Sequence, residues 1–201
     1  RPLSASGGLS DLRGCTALIS AESRKTCWQK ALLAWHNFRS ETGGRTKPDL
    51  FLFGAAVSAC EKGGHWAGAV ALLRELREAR LSPDRVVLNA VISAFAQREG
   101  GWVWALQLLA EMRKGAPASA AADRRASVEP NVITYNAAIS CCEKGRQWQM
   151  AFVLLRQLRE ARVEPSVVTC GAVLSACEKG LQWRRSLSLL GAMRQPTSSW
   201  P

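Results

Sequence analysis

A seven-residue phrase occurs three times along this chain. Val57-Ser58-Ala59-Cys60-Glu61-Lys62-Gly63 reappears as Ile139-Ser140-Cys141-Cys142-Glu143-Lys144-Gly145, and again as Leu174-Ser175-Ala176-Cys177-Glu178-Lys179-Gly180. A tryptophan follows each copy (Trp66, Trp148, Trp183), and Trp28 and Trp102 hold the same phase in other units. After each of the first four tryptophans come an apolar stretch and a proline step: Pro48-Asp49, Pro83-Asp84, Pro130-Asn131 and Pro165-Ser166. A period of about 20 to 50 residues signals one supersecondary unit stacked on copies of itself. Such a unit cannot bury its apolar face alone, which limits the fold more than any property of composition.

Boundaries set after the proline steps divide the chain into units 12–49, 50–84, 85–131, 132–166 and 167–201, behind an extension over residues 1–11. The second and fourth units are 35 residues long. The first is longer around Thr42-Gly43-Gly44 and the third near Glu99-Gly100. The third also carries a low-complexity insertion over residues 115–127, expected as a surface loop. The fifth unit is degenerate at its end, where Pro196-Thr197-Ser198-Ser199-Trp200-Pro201 replaces the expected closing turn.

Each unit reads as two helices. Tyr135, Ala138, Ile139 and Cys142 form an i, i+3, i+4, i+7 stripe. Gly145 is expected to stop that helix and Trp148 to open the next, in which Ala151, Phe152, Leu155 and Leu158 make a second stripe. The same phase gives Phe53, Ala56, Val57 and Cys60, and later Cys170, Val173, Leu174 and Cys177. A small residue recurs in the second helix: Ala31, Ala69, Ala105, Ala151 and Ser186. No strand pattern is visible. The expected fold is all-α, an α-solenoid wound as a right-handed superhelix of about five helix-turn-helix repeats.

Apolar residues make up 47% of the chain, which excludes a disordered polymer, and no apolar run approaches a membrane span. A formal net charge of +11 suits a polyanion partner, although an anionic membrane surface would also fit charge alone. Seven cysteines without a C-x-x-C pair read as reduced thiols, and Cys60, Cys142 and Cys177 as small core residues. His36 and His65 occupy different phases of the repeat, so no recurring metal site is expected. No cofactor is expected, and no nucleophile with its base, phosphate loop or carboxylate pair suggests an enzyme.

Val132-Ile133-Thr134-Tyr135-Asn136-Ala137-Ala138-Ile139-Ser140 resembles the opening of a pentatricopeptide repeat, and Val163-Glu164-Pro165 resembles its close. The resemblance spans residues 12–195. A tetratricopeptide unit fits less well, because it places its tryptophan and a Leu-Gly pair in the first helix. The resemblance implies one base of single-stranded RNA per repeat, read on the surface lined by first helices. It assigns base reading to the fifth and last residues of each unit: Thr16 with Asp49, Gly54 with Asp84, Asn89 with Asn131, Asn136 with Ser166, and Gly171 with Pro201. It assigns base sandwiching to Phe51, Val86, Ile133 and Val168, with Arg13 the exception, and phosphate contact to Arg24, Lys62, Lys144 and Lys179, with Gln97 breaking the series.

Each assignment has a plainer competitor. Asp49, Asp84, Asn131 and Ser166 stand where helix N-caps belong. The apolar second residues could be edges of the core stripe, and a lysine before glycine also ends a helix favourably against its dipole. The recurring Glu61, Glu143 and Glu178 are expected as solvated partners of the neighbouring lysines, and the tryptophans as core. The family's code implies a target of roughly 5′-G-purine-pyrimidine-C-3′, with the last unit reading nothing. Four readable positions are few, and Arg1-Pro2 is no initiator. The expectation is a fragment of a longer organellar protein, chloroplast or mitochondrial, whose targeting segment and any appended catalytic domain lie elsewhere. The partner is then single-stranded RNA, with further proteins of RNA processing and no membrane. The alternative is a protein-interaction scaffold of tetratricopeptide-like repeats.

Overall fold

A computed structural model describes residues 12–25, 27–43, 46–114 and 128–193. The extension 1–11, the insertion 115–127 and Pro201 lie outside the described residues. Among the described residues there are ten α-helices and no strand. Their contacts divide the chain into two compact units, Arg1–Gln97 and Arg98–Pro201.

The first unit holds α1 (Leu12–Arg24), α2 (Trp28–Thr42), α3 (Leu50–Lys62), α4 (Trp66–Glu78) and α5 (Arg85–Phe95). Helix α3 packs against both α1 and α5, so the first helices of successive repeats lie side by side. Its core gathers Ile19, Trp35, Phe38, Leu52, Phe53, Val57, Leu76 and Ile92, all buried. The second unit holds α6 (Gly101–Lys114), α7 (Val132–Lys144), α8 (Trp148–Glu160), α9 (Val167–Lys179) and α10 (Trp183–Met193). Here α7 packs on α9, and Leu109, Tyr135, Ile139, Leu154, Leu155, Leu158 and Val173 fill the core. The stripes read from spacing are the buried ones, except that Phe152 and Leu174 are only half-buried. Ala31, Ala69, Ala105 and Ala151 are fully enclosed, which explains why the second helix keeps a small residue there.

The helix-ending glycines act differently from the expectation. Gly63, Gly145 and Gly180 have φ of −84°, −78° and −88°, values open to any residue. The following residue takes the left-handed conformation instead: Gly64 at φ +68°, Arg146 at +55° and Leu181 at +56°. What needs glycine is space. A β-carbon on Gly63 would lie 2.1 Å from Cδ1 of Trp28, on Gly145 2.6 Å from Cδ1 of Trp102, and on Gly180 2.4 Å from Cδ1 of Trp148. Each of these tryptophans lies across the helix end of the next repeat, where only glycine lets the ring approach.

The tryptophans are therefore inter-repeat covers more than core. Trp28, Trp66, Trp102 and Trp148 are half-buried, and Trp28 also stacks on His65 with ring centroids 4.0 Å apart. Trp183 departs from the expected burial and is 63% exposed. Cys60, Cys142 and Cys177 are enclosed as expected, and burial pushes the Cys60 thiol up to about 11 and the Cys142 thiol up to about 12. Thiols held this far from ionisation are poor nucleophiles and poor metal ligands.

Candidate nucleic-acid interface

The row of first helices within each unit carries the residues of interest. Each of α3, α5, α7 and α9 begins with a polar cap. Asp49 accepts the Leu52 amide at 2.8 Å, and Asp84 accepts the Val87 amide at 2.8 Å. Asn131 and Ser166 form full capping boxes, with Thr134 and Thr169 returning a hydrogen bond to the cap's own backbone. The plainer reading of these four residues is thus real: each holds its helix start. Capping uses only part of their hydrogen-bonding capacity, so it does not exhaust them.

Asn136 and Ser166 are brought together. The Asn136 amide nitrogen donates to Ser166 Oγ at 3.4 Å, and Thr169 Oγ1 donates to Asn136 Oδ1 at 2.6 Å. Ser166 Oγ also accepts the Thr169 amide at 3.1 Å. This network fixes the amide's orientation and leaves Asn136 with one N–H and one Oδ1 lone pair unspent. Thr169, fully buried, ties the Ser166 cap to Asn136. Sequence reasoning missed it, although Thr134 and Thr169 both stand third in their units.

The other fifth-position residues differ. Thr16 is 7% exposed and donates its hydroxyl to the Leu12 carbonyl at 2.7 Å, so that donor is already spent. Gly54 is half-buried, and a β-carbon there would meet only Val87 Cγ2 at 3.8 Å, an ordinary contact. Asn89 has an enclosed Oδ1 with no protein hydrogen-bond partner. Gly171 is exposed, with nothing within 4 Å of a β-carbon built on it.

The second residues of the units are apolar and face solvent. Phe51 is 74% exposed, Val86 69%, Ile133 59% and Val168 67%. They are not edges of the core stripe, whose members one position along (Leu52, Val87, Thr134, Thr169) are buried. Arg13 at this phase is exposed too. Four large apolar side chains held in water at one repeat phase form a recurring feature that folding alone does not require.

Arg24, Lys62, Lys144 and Lys179 are all exposed at the ends of their first helices. Two of the glutamates beside them, Glu61 and Glu143, depart from the expectation. Glu143 feels the charge of its neighbour Lys144 but makes its hydrogen bonds elsewhere. Its Oε1 accepts from Ser175 Oγ at 2.8 Å and from Lys179 Nζ at 2.7 Å, both on the next repeat. Burial pushes the Glu143 carboxyl up, but the hydrogen bonds from Lys179 and Ser175 and the lysine charges outweigh this and hold it below its ordinary value. Glu61 reaches across in the same way to Ser93, but Gln97 stands where a lysine would answer it, and burial raises its carboxyl.

Paired helices whose first members line up and expose polar and basic residues define a helical-repeat scaffold. Residues 130–179 match the PPR repeat family. The fold is similar to the crystal structure of the pentatricopeptide repeat protein PPR10 from maize: TM-score 0.68, 21% identity, covering 91% of this chain and 24% of that one. It is also similar to PPR10 in complex with an 18-nt psaJ RNA element: TM-score 0.73, 18% identity, covering 93% of this chain and 26% of that one. The chain spans about a quarter of the length of these two solved structures. A comparison with curated proteins returns no match. Repeats of this family are thus matched over residues 130–179, and the fold of the chain is similar to that of PPR10.

Proposed function

We propose that this chain binds single-stranded RNA along its first helices, one base to a repeat, with sequence preference. The observation that carries the reading is the exposed apolar residue second in each of four units, beside a polar cap. Phe51, Val86, Ile133 and Val168 have no folding role in water, whereas a base edged between such side chains would bury them. The similar fold of PPR10, solved with an RNA element, supports the same use of this surface.

The five units run 12–49, 50–84, 85–131, 132–166 and 167–201 in this proposal. Asn136 with Ser166 is the best-formed reader, and by the family code it takes cytosine. Thr16 with Asp49 takes guanine by the same code. Gly54 with Asp84 and Gly171 read weakly or not at all, since glycine offers no side chain. Arg24, Lys62, Lys144 and Lys179 meet phosphates. A role in organellar RNA processing, stability, editing or translation follows from the family, as non-catalytic recognition by this segment.

The test is binding of short single strands by fluorescence anisotropy across a salt series. An oligonucleotide with a G-purine-pyrimidine-C core should bind more tightly than its scramble, with affinity falling steeply as salt rises. Ser166→Asp should move preference at one position from cytosine towards uracil while the cap is kept, because aspartate caps as well as serine does. Equal binding of core and scramble, with no shift in the variant, overturns base reading.

A further inference from the structure

Within the second unit one acidic side chain stands between the polyanion and its lysine. Glu143 Oε1 lies 2.7 Å from Lys179 Nζ and 2.8 Å from Ser175 Oγ. Its side chain is only 20% exposed and that of Lys179 is 42% exposed. The acid is thus seated between two first helices while the ammonium reaches outward. A surface pair of this kind contributes little to stability. Its charge nonetheless acts on anything that approaches the lysine.

We propose that Glu143 sets the strength of backbone binding: it is a built-in counter-charge on Lys179 that weakens sequence-independent attraction of the RNA backbone. The inference rests on the RNA-binding reading above. Lys179 has three N–H donors and spends one on Glu143, so a phosphate can still be met, but beside a fixed negative charge. The serine bond matters too, because it holds the carboxylate in place without the lysine. The carboxyl is stabilised in its charged form, so the counter-charge persists at neutral pH. The first unit gives a contrast. There Glu61 reaches Ser93, but Gln97 replaces the lysine, so the acid screens no cation on the next repeat.

The experiment compares wild type, Glu143→Gln, Lys179→Met and the double variant, each titrated with the G-purine-pyrimidine-C strand and its scramble. Glutamine keeps an acceptor for Ser175 and removes only the charge. Glu143→Gln should tighten binding of the scramble by about threefold, the factor one unit charge about 6 Å away exerts in a water-like medium. Its salt slope should steepen by about 0.7, as for one added phosphate contact. The core strand should gain by the same factor, leaving discrimination unchanged, and the gain should vanish in the Lys179→Met background. Unchanged or weaker RNA binding by Glu143→Gln overturns the inference, as does an equal gain in the Lys179→Met background. If wild type binds no single strand even at low salt, the RNA reading fails first and this inference falls with it.

Discussion

At the scale of single residues, the glycines separate into two kinds. Gly180 lies under Trp148, where a β-carbon would stand 2.4 Å from the ring, while Gly171, within α9, faces open space. Gly180→Ala should therefore destabilise by about 2 kcal/mol through overpacking, measured by urea denaturation. Gly171→Ala should be neutral or stabilise by up to about 1 kcal/mol through helix propensity. Equal effects at the two sites would sink the packing explanation. Shrinking the ring with Trp148→Leu in the Gly180→Ala background should recover part of the loss. A glycine after Glu-Lys looks like a helix stop in sequence, and its true constraint sits on a tryptophan of the preceding repeat, for Gly180 32 residues earlier. The caps were legible because an Asx or serine cap is satisfied by an amide three residues on. The partner of Glu143 was not legible, because Lys144 stands next to it while the lysine it holds lies 36 positions away.

Between elements, the turns and the inter-helix acids set the energetics. After Gly145 and Gly180 the chain turns through left-handed Arg146 and Leu181, and after α8 it does so through Arg162 at φ +56°. A side chain in this region costs about 1 kcal/mol. Arg162→Gly should raise stability by roughly that amount less the added entropy of the unfolded chain, a net few tenths of a kcal/mol. A loss of stability in denaturant melts would show that the arginine side chain contributes more than its backbone costs. The two inter-helix glutamates should respond oppositely to pH. The Glu143 carboxyl is held below its ordinary value, so its contribution is present above the usual carboxylate range, near pH 4.3, and is lost as pH falls through its lowered value. The Glu61 carboxyl is raised, so its stabilising influence is present below that range and is lost as pH rises through its raised value. Glu61→Gln should therefore raise the melting temperature at pH 7 and have little effect near pH 3.5. Glu143→Gln should lower it at pH 7, with the loss fading in acid. Parallel pH profiles would contradict the assigned neighbours.

Across the whole molecule, charge and repetition act together. A repeat array is stabilised by nearest-neighbour interfaces, so the worth of a residue depends on whether another repeat lies against it. Trp148 covers Gly180, whereas Trp183 is 63% exposed among the described residues, and the two residues are indistinguishable by sequence phase. The same logic governs the net charge of +11, which on its own names no partner. Its part in the proposed RNA binding is confined to cations that meet phosphate, and Lys62 and Lys144 are exposed at equivalent helix ends. Removing each with methionine should weaken binding of the G-purine-pyrimidine-C strand and its scramble by the same factor. Each should also flatten the plot of log affinity against log salt by about 0.7, and the double variant by about 1.4. Discrimination between the two strands should be unchanged, because phosphate contacts position the strand and carry no base information. A double variant that loses discrimination but keeps its salt slope would move these lysines from backbone contact to base reading.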